Sequence, residues 1–289
     1  MVAASGVIVL RDTAATAMLS ITPSEAAAMA ENRTAREECP NRPTGAGPAI
    51  DCRFEPERPV RLVLVGDSHA LALLPAVRAA ADSLGWGIDV MWDTGCPFVV
   101  GYEAPTGAKA FDGACVEENL LNAEHLKQSA PSIGGIVTTS RASSFIGDGQ
   151  FTATRALWSA SLESTLAPLA ELGLPVFVLH DVPHFPMRVP ECVIRRGASD
   201  CAVDVIDARN ARQPVVEAEL AAASDLGALV TTWDPFTVLC DDAVCPVVAD
   251  GEVLYRDSTH LSRAGARHVG RTLVPTLVAF FSAAAETAG

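Results

Sequence analysis

The chain has 289 residues, 49% of them apolar and only 6% aromatic, with a formal net charge of −14. That length and apolar share point to one sizeable packed core with room for an appendage, and exclude a disordered chain. The acidic balance repels phosphate backbones and anionic lipid, which argues against nucleic-acid binding and against membrane docking through a basic patch.

The first predicted unit is an N-terminal linker or appendage, residues 1–58. Val2 to Leu10 is apolar but stops at Arg11 and Asp12, well short of the roughly 18–20 residues of a membrane span. With no basic region before it, this run is a poor signal peptide. Thr22-Pro23-Ser24-Glu25 reads as a capping box that opens a helix from Pro23 to Ala35, with Thr22 as N-cap. Pro40, Pro43, Gly45, Gly47 and Pro48 then mark an irregular segment.

A regular alternation begins at residue 59 and defines the main domain, 59–289. Arg61 to Gly66 is a continuous apolar run, as expected of a strand buried on both faces. Ala70 to Leu84 is an alanine-rich helix, Gly87 to Trp92 a second strand and Cys115 to Ser129 a helix. Ile133 to Thr139 is a third strand, followed by a helix from Thr154 to Leu172 that Gly173 closes. Pro175 to His180 is a fourth strand, Val205 to Ser224 a helix, Ala228 to Trp233 a fifth strand and Ser262 to Ala283 the last helix. The tail from Ser282 to Gly289 reads as fraying. Strands separated by helices imply right-handed crossovers and an α/β fold. The expected architecture is a three-layer α/β/α sandwich around a five-stranded parallel, flavodoxin-like sheet. Ligands then bind beyond the carboxyl ends of the strands.

Eight cysteines fall in loop-like stretches or at element ends, and none forms a C-x-x-C pair. A zinc ribbon or thioredoxin motif is therefore not supported, and disulfides in an oxidising compartment are expected. About 105 pairings are possible. The simplest joins neighbours: Cys39–Cys52, Cys96–Cys115, Cys192–Cys201 and Cys240–Cys245. Export would then depend on a signal outside these residues, in a longer parent chain or an upstream membrane part.

The chemistry concentrates at two places. Gly66-Asp67-Ser68-His69 joins the first strand directly to a helix. A serine there lies at the carboxyl edge of the sheet, with the helix N-terminus aimed at any developing oxyanion. An N-cap role for Asp67 or Ser68 is the plainer reading of this position. Near the C-terminus, Asp257 and His260 stand three apart just before the last helix. A carboxylate can there fix the imidazole tautomer and leave the other nitrogen free to take the serine proton. His180, Asp181 and His184 follow the fourth strand. Their spacing hints at a metal, but no further ligand is identifiable, and they are read as a loop lining. Asp93 and Trp92 are candidates for the pocket wall, whereas Trp233 and Phe236 are expected in the core.

Together, the early Gly66-Asp67-Ser68-His69 and the late Asp257-Ser258-Thr259-His260-Leu261-Ser262 resemble the SGNH (GDSL-like) hydrolase superfamily. More specifically, they are similar to the SGNH domain of membrane acyltransferases that O-acetylate bacterial surface polysaccharides. Gly95-Cys96-Pro97, the strand end Val137 to Arg141, and Cys240 to Cys245 followed by Asp250-Gly251 extend the resemblance over roughly residues 59 to 280. It implies Ser68 as nucleophile with Asp257 and His260 as its partners. The superfamily also uses a glycine after strand two and an asparagine after strand three as oxyanion donors. Gly95 stands near the first place. The second reads Thr139-Ser140-Arg141, leaving Ser140 or Arg141 as substitutes, and members of the fused subgroup also tend to lack that asparagine. Asp67 and His69 complete the candidate oxyanion and substrate-binding set.

The implied reaction is O-acyl transfer, of acetyl by resemblance, through an acyl-Ser68 ester to cell-envelope polysaccharide. It calls for no metal or organic cofactor. The implied partners are an acyl donor, a polysaccharide acceptor and a membrane acyltransferase domain of the same parent chain, and the implied location is extracytoplasmic. A free-standing carbohydrate esterase or deacetylase is the alternative enzyme. A catalytically silent glycan-binding domain is the alternative of another class.

Overall fold

Strands apolar on both sides need helices over both faces of their sheet. The computed structural model has that arrangement; it describes residues 6–9, 18–28, 38–40, 50–102, 113–146 and 155–288. The central sheet contains β1 (Cys52–Phe54), β2 (Arg61–Gly66), β3 (Gly87–Trp92), β4 (Ile133–Thr139), β5 (Val176–Leu179) and β6 (Val230–Trp233). Their order across the sheet is β1-β3-β2-β4-β5-β6. Strands β2 to β6 run parallel.

The helices that matter for the site are α1 (Ser68–Leu84), α2 (Gly113–Ser129), α3 (Arg155–Glu171), α4 (Val189–Arg196), α5 (Val205–Ser224) and α6 (Arg263–Ala288). The side-chain period of two along β2 divides the core between them. Leu62 and Leu64 join a cluster with α1, α4 and α6, while Val63 and Val65 join another with α2, α3 and α5. Alanine dominates the buried side of α1: Ala70, Ala72, Ala76, Ala80 and Ala81. Strand β2 lies between β3 and β4, and the helices after β2 and β3 cover opposite faces. The chain therefore reverses its winding direction at the carboxyl end of β2.

The expected five parallel strands are present, and the structure adds a sixth. Strand β1 pairs antiparallel with β3, with Cys52 opposite Val90 and Phe54 opposite Ile88, although its residues read as linker. A three-residue edge strand is too short to display a pattern, and here tertiary contacts hold it. Arg53 reaches Asp89 at 2.9 and 3.0 Å. The N–H of Asp51 donates to the Val90 carbonyl at 2.8 Å, and a disulfide ties Cys52 to Cys39.

Other parts of the N-terminal segment dock as well. The capping box is formed, with Thr22 and Glu25 exchanging hydrogen bonds of 2.6 and 3.2 Å. Its helix is described over residues 23–28; the rest of the expected helix and the segment 41–49 lie outside the described residues. The Ser24 hydroxyl accepts the Val253 N–H at 2.9 Å. Residues Gly6–Val9 and Met18–Ile21 pair as a small antiparallel ladder. At the other end, α6 continues to Ala288 rather than fraying from Ser282, because Phe281 is fully buried and anchors its last third.

Four disulfides join Cys39–Cys52, Cys96–Cys115, Cys192–Cys201 and Cys240–Cys245, with sequence separations of 13, 19, 9 and 5. Each therefore staples a single local loop.

Candidate active site

The end of β2 is shaped by close approach. Gly66 has φ +151°, and a Cβ placed there would lie 2.0 Å from the Thr139 carbonyl oxygen of β4. Only glycine lets the two strand ends come so near. Asp67 then caps α1. Its Oδ1 accepts the His69 N–H at 2.8 Å, and its Oδ2 accepts the Arg141 N–H at 2.8 Å. The plain N-cap reading of Asp67 thus describes its side chain: the carboxylate is buried and engaged with backbone rather than open to a ligand. Burial pushes its pKa up, against the pull of His69 and of the two N–H donors. Ser68 follows as the first helical residue, partly buried. Its own N–H makes no hydrogen bond to any described residue and sits where the helix dipole favours negative charge.

A tight loop brings the second half of the site to this edge. Tyr255 and Leu261 form a bridge, closed by the Arg256 N–H to His260 carbonyl bond of 3.0 Å. Ser262 locks the loop onto α6, its hydroxyl donating to the Val253 carbonyl at 2.6 Å and accepting the Gly265 N–H at 3.0 Å. Within the loop, Asp257 Oδ1 accepts the N–H groups of Thr259 and His260, both at 2.8 Å. This turn fixes the carboxylate beside the imidazole, with Asp257 Oδ2 2.9 Å from His260 Nδ1. His260 Nε2 in turn lies 2.8 Å from Ser68 Oγ. The structure thus connects Ser68, His260 and Asp257, three residues of which the outer two are 189 positions apart.

The electrostatics suit a proton acceptor. Burial above all, helped by the neighbouring His69, lowers the His260 pKa to about 4, although Asp257 opposes the shift. Burial alone would raise the Asp257 pKa, but the His260 ring and the two loop N–H groups hold its carboxyl far below the ordinary range. At neutral pH the pair is therefore a neutral imidazole beside a carboxylate, with Nδ1–H toward Asp257 and the Nε2 lone pair toward the serine.

A second imidazole–carboxylate group packs behind the first. The His69 and His260 rings are 4.4 Å apart between centroids. His69 Nδ1 lies 3.1 Å from Asp181 Oδ1, and His184 Nε2 lies 3.1 Å from Asp181 Oδ2. Burial would depress the His69 pKa, yet Asp181 more than offsets it and the pKa is raised. Asp181 resists its own burial because His184 and His69 keep it well below the usual carboxylate value. Among the described residues, His69, Asp181 and His184 are the group with the donor spacing of a metal site. The third member of the group, which spacing around Asp181 and His184 could not supply, is His69 from the first turn of α1, after β2. His180 does not join them. It pairs with Glu219 of α5 at 2.5 Å, both side chains buried, and burial raises the Glu219 pKa.

The remaining candidates are placed as follows. Gly95 takes φ +69° in the turn after β3, and the Asp93 N–H ties that turn to the Gly66 carbonyl at 3.2 Å. Ser140 is buried and the Arg141 side chain exposed, both at the end of β4. Trp92 is not on a pocket wall: it is 3% exposed and donates its ring N–H to the Cys39 carbonyl at 3.1 Å. Phe236 is buried under Arg212, and Trp233 is partly buried. A cavity of about 450 Å³ lies next to the site, lined by Leu71, Pro75 and Arg78 of α1 and by Arg256, Leu261 and Arg263. Its described lining includes none of Ser68, Asp257 and His260.

A family model described as "SGNH domain (fused to AT3 domains)" matches residues 38–275. No curated protein matches the sequence. Among solved structures, the periplasmic domain of a lipopolysaccharide acetyltransferase from Salmonella ser. Paratyphi A is similar, with 14% identity and TM-score 0.54. That match covers 75% of this chain and 83% of that one. A GDSL-like lipase from Bacteroides thetaiotaomicron is 11% identical, with TM-score 0.45 over 75% of this chain and 87% of that one. A carbohydrate esterase family 2 enzyme with a carbohydrate-binding domain, from Corynascus thermopiles (Myceliophthora fergusii), is 14% identical, with TM-score 0.45 over 77% and 67%. The likeness to the Salmonella domain is one of fold.

Proposed function

The chain belongs to the family of SGNH domains fused to AT3 acyltransferase domains, and from that membership we propose that it transfers an acyl group, acetyl by preference, to a hydroxyl of a cell-envelope glycan. The observation that carries this reading is the unbroken contact from Asp257 through His260 to Ser68, at 2.9 and 2.8 Å. In the first half-reaction, His260 Nε2 takes the Ser68 hydroxyl proton while Oγ attacks the acyl carbonyl. The oxyanion meets the Ser68 N–H at the start of α1, and the turn carrying Gly95 supplies the neighbouring donor. His260 then hands the proton to the leaving group. In the second half, His260 deprotonates the acceptor hydroxyl, which attacks the acyl-Ser68 ester, and Ser68 recovers its proton. Asp257 holds the ring tautomer throughout.

Four disulfides, and the periplasmic origin of the similar Salmonella domain, support an extracytoplasmic location. Among the described residues no helix is long and apolar enough to cross a membrane. The family's fusion to AT3 domains supports tethering through such a part of a parent chain. The test is incubation of the domain with p-nitrophenyl acetate, with and without an oligosaccharide acceptor. Acyl-Ser68 seen by mass spectrometry and transfer to the sugar support the proposal. Hydrolysis that the sugar never diverts favours an esterase, and glycan binding untouched by Ser68→Ala without any turnover favours a silent binding domain.

A further inference from the structure

A buried imidazole nitrogen without a partner is costly, and native structures usually satisfy it with a hydrogen bond, a water or an ion. His184 Nε2 is buried and only incompletely satisfied: it stands 3.1 Å from Asp181 Oδ2, an ion-pair distance, without forming a well-aligned hydrogen bond. His69 is 4% exposed and approaches the other oxygen of the same carboxylate at 3.1 Å. The three donor atoms all lie within 4.8 Å of one another. Two ligands held at roughly 2.0–2.2 Å by one tetrahedral ion are themselves about 3.4 Å apart, so the spacing is close to that of a ligand set.

We propose that His69, Asp181 and His184 bind one divalent transition-metal ion of the Zn²⁺ class directly behind the catalytic histidine. Two imidazoles and one carboxylate suit Zn²⁺, Co²⁺ or Ni²⁺ rather than Ca²⁺ or Mg²⁺, which prefer all-oxygen shells. The carboxylate is already oriented from outside, by the Ser143 hydroxyl at 2.7 Å on Oδ2 and the Val182 N–H at 2.8 Å on Oδ1. His69 and Asp181 form the buried floor, and the His184 side chain, 26% exposed, gives the ion a way in from solvent. Three protein ligands leave a fourth position for water or for Ser143 Oγ. The competing explanation of the cluster is a metal-free relay in which Asp181 only neutralises its two imidazoles.

The experiment is titration of chelator-stripped protein with Zn²⁺ by calorimetry and with Co²⁺ by visible absorption. One Zn²⁺ per chain is expected, with the intense absorption of four-coordinate Co²⁺. His184→Ala, which alters the solvent-facing ligand, should weaken Zn²⁺ on the order of tenfold or more and remove the Co²⁺ band. His260→Ala should bind as the wild type does. Absence of Zn²⁺ binding overturns the proposal, as does binding unchanged in His184→Ala or binding lost in His260→Ala with His184→Ala intact. Because Asp181 is buried, Asp181→Asn is compared only after circular dichroism matches the wild type. Neither readout involves ester turnover, so failure here is distinguishable from failure of the acyl-transfer reading.

Discussion

Asp67 Oδ2 accepts the backbone N–H of Arg141 at 2.8 Å, a side-chain bond that extends the pairing of β2 with β4 beyond Gly66 and Thr139. Asp67→Ala removes it together with the α1 cap. Loss of a cap alone costs about 0.5–2 kcal/mol, and the buried His69 N–H and the part-buried Arg141 N–H both lose this acceptor. We expect a lower unfolding midpoint in urea at the upper part of that range, with kcat reduced while acyl-donor KM changes little. A wild-type stability curve for Asp67→Ala would show that this stitch carries no weight.

The pH profile should depart from that of a solvent-exposed imidazole, whose limb falls near pH 6.5. Burial lowers the His260 pKa to about 4, and only neutral His260 can accept the serine proton. Activity in chelator-treated protein is therefore expected to rise with pH through about 4 and to stay flat from near 5 to neutrality. The stability sign follows from the same shift. Between the ordinary value and about 4 the unfolded chain binds more protons, so stability falls as the solution is acidified through that window. A kcat/KM limb at 6.5 would contradict the buried placement.

Removing members of the Ser68–His260–Asp257 chain should give graded losses in p-nitrophenyl acetate hydrolysis. His260→Ala is expected to lower kcat by about 10²–10⁴. Ser68→Ala should abolish the acyl-enzyme, and Asp257→Asn should give an intermediate loss by releasing the tautomer of the ring. All three variants should keep the wild-type thermal midpoint to within a few degrees, because none of these side chains is part of either large core cluster. Comparable turnover in Ser68→Ala would exclude a serine ester.

Asp89 is the charge on which the sheet edge depends. Buried on β3, it meets Arg61 at 2.6 Å and Arg53 at 2.9 Å. Asp89→Ala leaves the buried Arg61 uncompensated, a change that typically costs about 3–5 kcal/mol. Arg53→Ala, at the exposed partner, should cost under about 1 kcal/mol. Denaturant unfolding of the two variants tests the contrast, and equal losses would contradict it.

How much of this was legible in the sequence depends on the range of the contacts. Strands β2 to β5 announce themselves because Val, Leu and Ile runs bounded by glycine or proline need both faces covered. The meeting of Ser68 with the Asp257–His260 pair could be anticipated because each sits at a recognisable junction with a helix. Strand β1 was not, since Cys52-Arg53-Phe54 has no periodicity and owes its place to Asp89 and Cys39. The grouping of His69 with Asp181 and His184 was also hidden. His69 stands 112 positions before Asp181, and the parallel sheet brings the carboxyl ends of β2 and β5 to one edge. The depressed pKa of His260 arises from burial, which no local motif encodes.

Every disulfide joins a cysteine to the next one along the chain, and no loop encloses another. A polypeptide threaded N-terminus first into an oxidising compartment would expose its thiols two at a time, each new one meeting the partner just ahead of it. Correct connectivity then follows from order of arrival, without shuffling by an isomerase, and the first three stapled loops can be in place before the strand carrying Trp233 and the segment carrying His260 have emerged.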